Sequence, residues 1–284
     1  MNNDRHMNET VMNVFDYERF TSRNAGYVSD ALQRRIRQTR LLIAGCGIGS
    51  TIAEACVRLG FDQLVLIDKD VVEPHNLNRQ NFTARDIGTP KVEALALRLR
   101  SINPSASIRC INDWVTPQNA DGLVHEADLV LDTIDFLSLE GIVALHDASQ
   151  AQLKPVISAF SAGWGAAAIY FPSGGTFTFR QIFDLPVTGS VRHISYVGTF
   201  MRLIDRLEPH LSDDVVAALR KTLTFMDDGR PCPAPHVSAG SAAIGSLAAT
   251  IAARILRGEP VTPAPRLILL NLSTLSAMHG IDLL

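Results

Sequence analysis

Short apolar runs and amphipathic stretches alternate along most of the chain. An apolar run bounded by turn residues is typical of a buried strand, and apolar positions at helical spacing are typical of a helix that covers a sheet. The apolar runs predict strands at residues 41–44, 64–67, 106–111, 128–132, 154–158 and 266–271. The helical spacing predicts helices at residues 30–38, 50–59, 92–100, 196–207, 212–225 and 238–256. This alternation predicts an α/β, Rossmann-like fold with a mostly parallel central sheet flanked by helices.

The pattern changes in the second half of the chain. Residues 161–177 predict a short antiparallel extension of two strands, interrupted by glycine and proline. Residues 180–228 have helical spacing and a composition unlike that of a sheet, which predicts a helical insertion over the cleft. Such an insertion would either select a substrate or pack against a partner subunit, and the pattern leaves both open.

Composition narrows the class of protein without naming a function. The chain has 284 residues, of which 46% are hydrophobic and 19% are charged. This composition predicts a globular protein and not a disordered one. A net charge of −3 predicts no binding to nucleic acid or to an anionic membrane. The polar start has no apolar signal segment, and the longest small-residue apolar run, 239–253, is shorter than the ~18 residues of a membrane span. We expect a cytoplasmic protein.

The four cysteines show no paired spacing, so neither a disulfide framework nor a zinc site is predicted.

Candidate chemistry begins at the first predicted strand. Gly45, Gly47 and Gly49 lie between that strand and the next helix, where glycine lets the backbone approach a phosphate and a helix N-terminus supplies free N–H groups. Asp68 and Asp70 follow the second strand, at the position where an acid commonly binds ribose hydroxyls. These residues alone would serve NAD and ATP equally well.

The polar segment that follows favours a triphosphate over a dinucleotide. Residues 73–80 read EPHNLNRQ, whose amides and guanidinium suit phosphates, and Lys91 opens the next predicted helix. An arginine and a lysine beside a triphosphate under attack would neutralise the departing pyrophosphate. Asp132 and Asp135 end another strand, where carboxylates can hold Mg²⁺; the alternative is that Asp135 only caps a helix.

The succession GCGIG, LIDKDVVEPHNLNRQ, GTPK, INP and LDTID resembles the ThiF/MoeB/HesA superfamily, which includes the adenylation domains of ubiquitin-activating enzymes. The resemblance implies a homodimer that binds MgATP and adenylates a carboxylate, usually the C-terminal glycine of a ubiquitin-like or sulfur-carrier protein. It implies one adenylation domain over residues 1–284: an N-terminal arm and helix (1–39), a nucleotide-binding core (40–172), a helical insertion with a crossing loop (173–236) and a C-terminal helix and strand (237–284).

The resemblance also implies roles for individual residues. The glycines would shape the nucleotide pocket, and Asp68 would hold the ribose. The residues implied to bind or neutralise the phosphates are Asn76, Asn78, Arg79 and Lys91. Asp135 matches the magnesium-linked aspartate, and Arg23 matches an arginine that the neighbouring subunit delivers to the γ-phosphate.

Three features depart from that family pattern. The glycine turn is one residue shorter than usual, and Phe136 stands where an asparagine usually follows the magnesium aspartate. The CxxC zinc pairs of many relatives are absent. Cys232 is a candidate thioester cysteine, although its flanking prolines favour a structural thiol.

Other functions stay open at this level. A relative could activate a small molecule, a peptide or a tRNA base; an NAD-dependent oxidoreductase would use Asp68 but leave Lys91 and Asp135 without a purpose. A member that binds nucleotide without turnover is a third alternative.

Overall fold

The computed structural model describes residues 15–227 and 234–284 of the chain. Within these ranges, eight strands form one sheet. They are β1 (Arg40–Ala44), β2 (Gln63–Ile67), β3 (Ser107–Ile111), β4 (Leu129–Asp132), β5 (Val156–Ala162), β6 (Gly165–Phe171), β7 (Arg266–Asn271) and β8 (Ser276–Asp282). Their order across the sheet is β3-β2-β1-β4-β5-β6-β7-β8.

The first five strands are parallel, and the last three pair in antiparallel fashion. The chain order reverses between β1 and β4, which lie side by side with Ala44 paired to Asp132. In open α/β sheets a ligand crevice forms at the carboxyl ends of the strands at such a reversal. The predicted α/β class with an antiparallel extension is confirmed, and the fold itself places a site after Ala44 and Asp132.

Helices cover both faces of the sheet. Those assigned in the described ranges are α1 (Tyr17–Thr21), α2 (Asp30–Gln38), α3 (Gly49–Leu59), α4 (Lys91–Ile102), α5 (Ala120–His125), α6 (Leu139–Ala151), α7 (Phe179–Ile182), α8 (Tyr196–Leu207), α9 (Asp213–Asp227) and α10 (Ser238–Arg257). The core residues of α2, α3, α4 and α10 cluster on one face. Those of α5 to α9 cluster on the other face.

α10 is the longest of these helices and packs closely on its neighbours because its residues are small. A Cβ placed on Gly245 would lie 2.7 Å from the backbone oxygen of Thr51 in α3, so only glycine permits this approach. Among the described helices, α10 alone is long and apolar enough to span a membrane. Half of its most apolar 18-residue stretch is buried inside the protein. It contacts β5, β6, α2 and α3.

The element boundaries differ from the sequence prediction mainly around residues 161–177. The prediction of two strands within this stretch is wrong, because β5 itself runs on to Ala162 and turns through Gly163 and Trp164 into the single strand β6. The Gly163 backbone has a φ of +60°, which suits glycine at this turn. β8, α5 and α6 lie in stretches for which no element bounds are predicted.

Candidate active site

The glycine turn after β1 is fixed by contacts with the residues that follow β4. Gly45 has a φ of +88°, and a Cβ on it would overlap the carbonyl oxygen of Thr133. Thr133 Oγ1 in turn donates to the Gly45 carbonyl at 2.7 Å. A Cβ on Gly49 would lie 2.5 Å from Thr133 Oγ1. Gly45 and Gly47 line a cavity at this edge of the sheet, whereas Gly49 packs against Thr133 and does not line it.

Asp68 joins the glycine turn to the tip of β2. Its Oδ2 accepts a hydrogen bond from the Cys46 N–H at 2.6 Å, and its Oδ1 accepts one from the Asp70 N–H at 2.8 Å. Burial raises the pKa of the Asp68 carboxyl, and the positive charge of Lys91 partly offsets this effect. Asp68 lines the cavity, but one N–H group of the glycine turn is already used to hold its carboxylate.

Lys91 reaches the same wall because the chain between Asp70 and Lys91 folds back on itself. The Lys91 N–H donates to the Asp70 carbonyl and the Val72 N–H donates to the Thr89 carbonyl, both at 2.9 Å. The Lys91 ammonium, whose side chain is 8% exposed, forms an ion pair with Asp70 Oδ2 at 2.7 Å. Lys91 and Asp70 both line the cavity. The lysine is therefore at the predicted place, but paired with Asp70.

Arg79 is held by its own loop, and its Nε donor is left without a hydrogen-bond partner among the described residues. Its Nη1 donates to the His75 carbonyl at 2.7 Å and to Asn78 Oδ1 at 2.9 Å. Its Nε is buried with no hydrogen-bond partner in the described part of the chain. Burial lowers the pKa of the guanidinium, and the nearby Asp135 carboxylate opposes that shift. An N–H donor without a partner at a cavity wall is available to a ligand.

The two asparagines of this segment serve the loop. Asn76 Oδ1 accepts from the Glu73 N–H at 2.9 Å, and Asn76 lines the cavity. Asn78 Nδ2 donates to the His236 carbonyl at 3.1 Å, and Asn78 does not line the cavity. Asn78 thus positions Arg79 and ties the segment to a residue far away in the sequence.

The two aspartates after β4 differ in their environment. Asp132 is buried, and its Oδ2 accepts from Ser158 Oγ at 2.8 Å and lies 3.0 Å from His146 Nε2. Asp135 is exposed to the cavity and accepts from the Leu137 N–H at 3.0 Å. Asp135 therefore does cap a turn, as the alternative interpretation expects. Its carboxylate also lines the cavity, where its negative charge favours the charged form of Arg79.

Two further residues line this wall: Gln80, which ends the predicted polar segment 73–80, and His236, which the sequence did not single out. Gln80 Oε1 and His236 Nδ1 are buried and, like Arg79 Nε, lack a hydrogen-bond partner among the described residues. Burial, with a smaller contribution from Arg79, lowers the pKa of His236 to about 4, while Asp135 opposes the shift. No sequence signal marks His236, because its contact with Asn78 spans 158 positions.

The cavity measures about 880 Å³ and has two ends. At one end it is lined by the polar residues of the turns after β1, β2 and β4, together with Lys91 and His236. At the other end β5, β6, α7, α8 and α9 supply mostly apolar side chains. Residues of α8 and α9, from the predicted insertion, thus line the cavity.

Arg23 lies away from this cavity. It is exposed in a short 3₁₀ turn, Ser22–Asn24, and Asn24 Nδ2 donates to the Leu59 carbonyl at the C-terminal end of α3. The cavity lies at the N-terminal end of α3, and Arg23 does not line it.

Cys232 lies outside the described residues. In the described ranges no group of three or more His, Cys, Asp or Glu side chains is arranged to hold a metal ion.

This fold and site are those of an α/β nucleotide-binding protein with its pocket at the strand-order reversal. The chain belongs to the ThiF family, whose family model matches residues 21–282.

Among known proteins, it is 38% identical over 134 residues to a tRNA threonylcarbamoyladenosine dehydratase of Haemophilus influenzae, covering 45% of this chain and 51% of that one. It is 34% identical over 170 residues to the SAMP-activating enzyme E1 of Haloferax volcanii, and the match covers 58% of this chain and 62% of that enzyme. The chain thus spans less than two thirds of either relative. The crystal structure of E. coli MccB with ATP shares the fold, with a TM-score of 0.65 at 18% identity over 89% of this chain and 67% of MccB.

Proposed function

We propose that this protein is an adenylyltransferase that uses MgATP to activate a substrate carboxylate as an acyl-adenylate, with release of pyrophosphate. The observation that carries the proposal is the convergence of Arg79, Lys91 and Asp135 on one cavity beside the glycine turn. Two cations and one carboxylate suit the phosphates of a nucleotide together with its metal ion. The names of two relatives support it: one is an adenylyltransferase and sulfurtransferase, and the other a SAMP-activating enzyme.

The polar wall fits a nucleotide. Arg79 Nε is a buried donor without a partner, and Gln80 Oε1 is a buried acceptor without one. A Cβ on Gly47 would lie 3.2 Å from Gln80 Nε2, so the glycine keeps this cradle open. Phosphate oxygens would satisfy the donor, and ribose hydroxyls would satisfy the acceptor.

Asp135 fits Mg²⁺ better than Asp132 does. Mg²⁺ is commonly held by one or two carboxylates together with substrate phosphates, so a single accessible carboxylate is sufficient. Asp132 is already engaged by Ser158 and His146. When bound, the metal would stabilise the charge that develops on the departing pyrophosphate.

In the reaction, an oxygen of the substrate carboxylate attacks the α-phosphorus of ATP in line with the leaving group. A new O–P bond forms, and the bond between the α-phosphorus and the bridging oxygen breaks, so that pyrophosphate leaves with the electron pair. A carboxylate is already ionised at neutral pH, and the step needs no general base. Arg79 and Lys91 would hold the phosphates and neutralise their charge, which requires Lys91 to exchange Asp70 for a phosphate oxygen.

We further propose that the protein works in the cytoplasm as a homodimer, with residues 1–284 acting as one adenylation domain. Arg23 is exposed at the far end of α3, which is consistent with its action on a partner's site.

The decisive assay is ATP–pyrophosphate exchange with a panel of carboxylates. Arg79→Ala and Lys91→Ala are each expected to lower exchange by about 100-fold or more, the usual cost of removing one charge-stabilising group. Arg85→Ala is the matched control, because Arg85 is exposed on the neighbouring turn and does not line the cavity.

Unchanged exchange in both site variants would refute the assignment of these residues. Thermal stabilisation by NAD and not by MgATP would favour the oxidoreductase alternative. Nucleotide binding without exchange for any carboxylate would favour a member without turnover.

A further inference from the structure

One end of the cavity is an apolar chamber. We use this name for the space lined by Phe136, Phe160, Phe183, Phe200, Leu203 and Leu223. The β5, β6, α7, α8 and α9 segments contribute no charged side chain to the lining. The charged lining residues all lie in the segments after β2 and β3, at the end of β4 or in the turn that follows β4. The polar side chains that β5, β6, α7, α8 and α9 contribute are Ser158, Ser161 and Thr222. Ser158 already donates a hydrogen bond to Asp132, and Thr222 donates one to the Ala218 carbonyl. Few side-chain groups are therefore left to hydrogen-bond the backbone of an extended peptide.

The chamber begins one residue from the proposed metal ligand. Phe136 follows Asp135, and its ring stacks on Phe200 of α8 with centroids 4.1 Å apart and an angle of 24° between the planes. It also meets Phe160 of β5 edge-on, with centroids 5.9 Å apart. The chamber and the nucleotide end are thus continuous, and a molecule that lies in the chamber presents one end to the phosphates.

The volume leaves room for a second small molecule. The whole cavity measures about 880 Å³, near the upper end of the roughly 300–1,000 Å³ of small-molecule sites. A nucleotide would occupy the polar end, where its phosphates meet Arg79 and Lys91. A C-terminal glycine pair has no side chain that could fill the apolar chamber. A substrate of that kind would therefore gain no free energy from burying hydrocarbon there.

We propose that the apolar chamber binds the hydrocarbon body of a small carboxylic acid, and that this acid is the molecule adenylated. The proposal rests on the adenylation proposed above. The acid lies with its carboxylate toward Asp135 and Arg79, where an oxygen attacks the α-phosphorus and pyrophosphate leaves. The substrate class is then an alkanoic or arylalkanoic acid, and not the tail of a ubiquitin-like protein.

Thr222 gives a direct way to test the chamber. It lies on α9, is 5% exposed and lines the cavity. Thr222→Phe places a ring in the chamber. Thr224→Phe is the matched control, because Thr224 lies on the same helix, is exposed and does not line the cavity.

The experiment measures ATP–pyrophosphate exchange with straight-chain acids from acetate to dodecanoate, phenylalkanoates and a peptide that ends in Gly-Gly. Each buried methylene is expected to raise kcat/KM about fourfold, the equivalent of about 0.8 kcal/mol, until the chamber is full. Thr222→Phe is expected to shift the optimum to shorter acids with an unchanged KM for ATP. Thr224→Phe is expected to keep the wild-type optimum.

Three results would overturn the proposal: equal kcat/KM for acetate and octanoate, a preference for the Gly-Gly peptide, or the same optimum in Thr222→Phe as in the wild type. Calorimetric titration of decanoate in the presence of a non-hydrolysable ATP analogue separates the two proposals. If no acid supports exchange but decanoate binds, and Thr222→Phe abolishes that binding, the adenylation proposal fails and the chamber assignment stands. If decanoate also fails to bind, the chamber assignment fails as well.

Discussion

Substitution of His236 by glutamine tests the electrostatics of the polar wall. The charges of Arg79 and Asp135 both act on the pKa of His236, and its buried Nδ1 has no partner among the described residues. Burial and the Arg79 charge both disfavour the imidazolium, so the pKa falls from about 6.5 to about 4. At neutral pH the histidine is therefore neutral, and Arg79 and Lys91 remain the cations that meet a ligand.

The sign of the stability effect follows from proton linkage. Between about pH 6.5 and pH 4 the unfolded chain binds a proton at this histidine that the folded chain does not bind, so stability falls as the pH is lowered. With these two pKa values, the linkage relation gives a loss of about 2 kcal/mol between pH 7 and pH 4.5. Other groups titrate in the same pH range, but they do so in both the wild type and His236→Gln, so their effect cancels in the difference between the two proteins.

The assay is urea unfolding of the wild type and His236→Gln at several pH values between 7.5 and 4. The difference between the two free energies of unfolding is expected to change by about 3 kcal/mol over this wider window, with the wild type losing more. In an Arg79→Met background the change is expected to be smaller, because Arg79 no longer lowers the pKa of His236. Parallel curves for wild type and His236→Gln would refute the buried, neutral histidine.

Two other predictions concern the turn and the dimer. Gly45→Ala is expected to cost more stability than Gly88→Ala, by at least about 1 kcal/mol in urea unfolding, because both have positive φ but only Gly45 faces a backbone carbonyl. Equal costs would contradict the close packing against Thr133. The Arg23→Ala and Lys91→Ala proteins are each expected to be inactive alone. When the two are co-expressed in equal amounts, about half of the dimers are mixed and each mixed dimer has one intact site of two, so about a quarter of wild-type exchange is expected to return. No recovery would argue against delivery of Arg23 to a partner.

The parallel half of the fold was predictable because local signals and tertiary structure agree there. The runs that form β1, β2 and β4 are apolar and bounded by turn residues, and each is buried on both faces. β8 was missed because Ser276–Asp282 contains serine, histidine, glycine and aspartate and lies at the sheet edge, where pairing with β7 decides the structure. The single strand β6 was misjudged because its glycine-rich start looked like a break, whereas it forms the turn from β5.

The site was predictable only as far as it is built from short sequence segments. Arg79 and Lys91 both line the cavity, and each belongs to a short segment that the sequence singles out: residues 73–80 for Arg79 and the start of a predicted helix for Lys91. The partners of these residues were not predictable: the Lys91–Asp70 ion pair, the bond from Asn78 to the His236 carbonyl and the unpartnered Nδ1 of His236 all depend on how the loops meet.

Phe136 and the helical insertion are best explained together. At the position where an asparagine would follow the proposed metal ligand, this chain has a ring that stacks on Phe200 of α8. Without α8 that ring would lose its stacking partner, and without the ring α8 would lose an aromatic contact. This departure from the family pattern is therefore also the point where the insertion contacts the nucleotide end. A loss of turnover would not by itself require the apolar chamber behind Phe136, whereas selection of an apolar acid would.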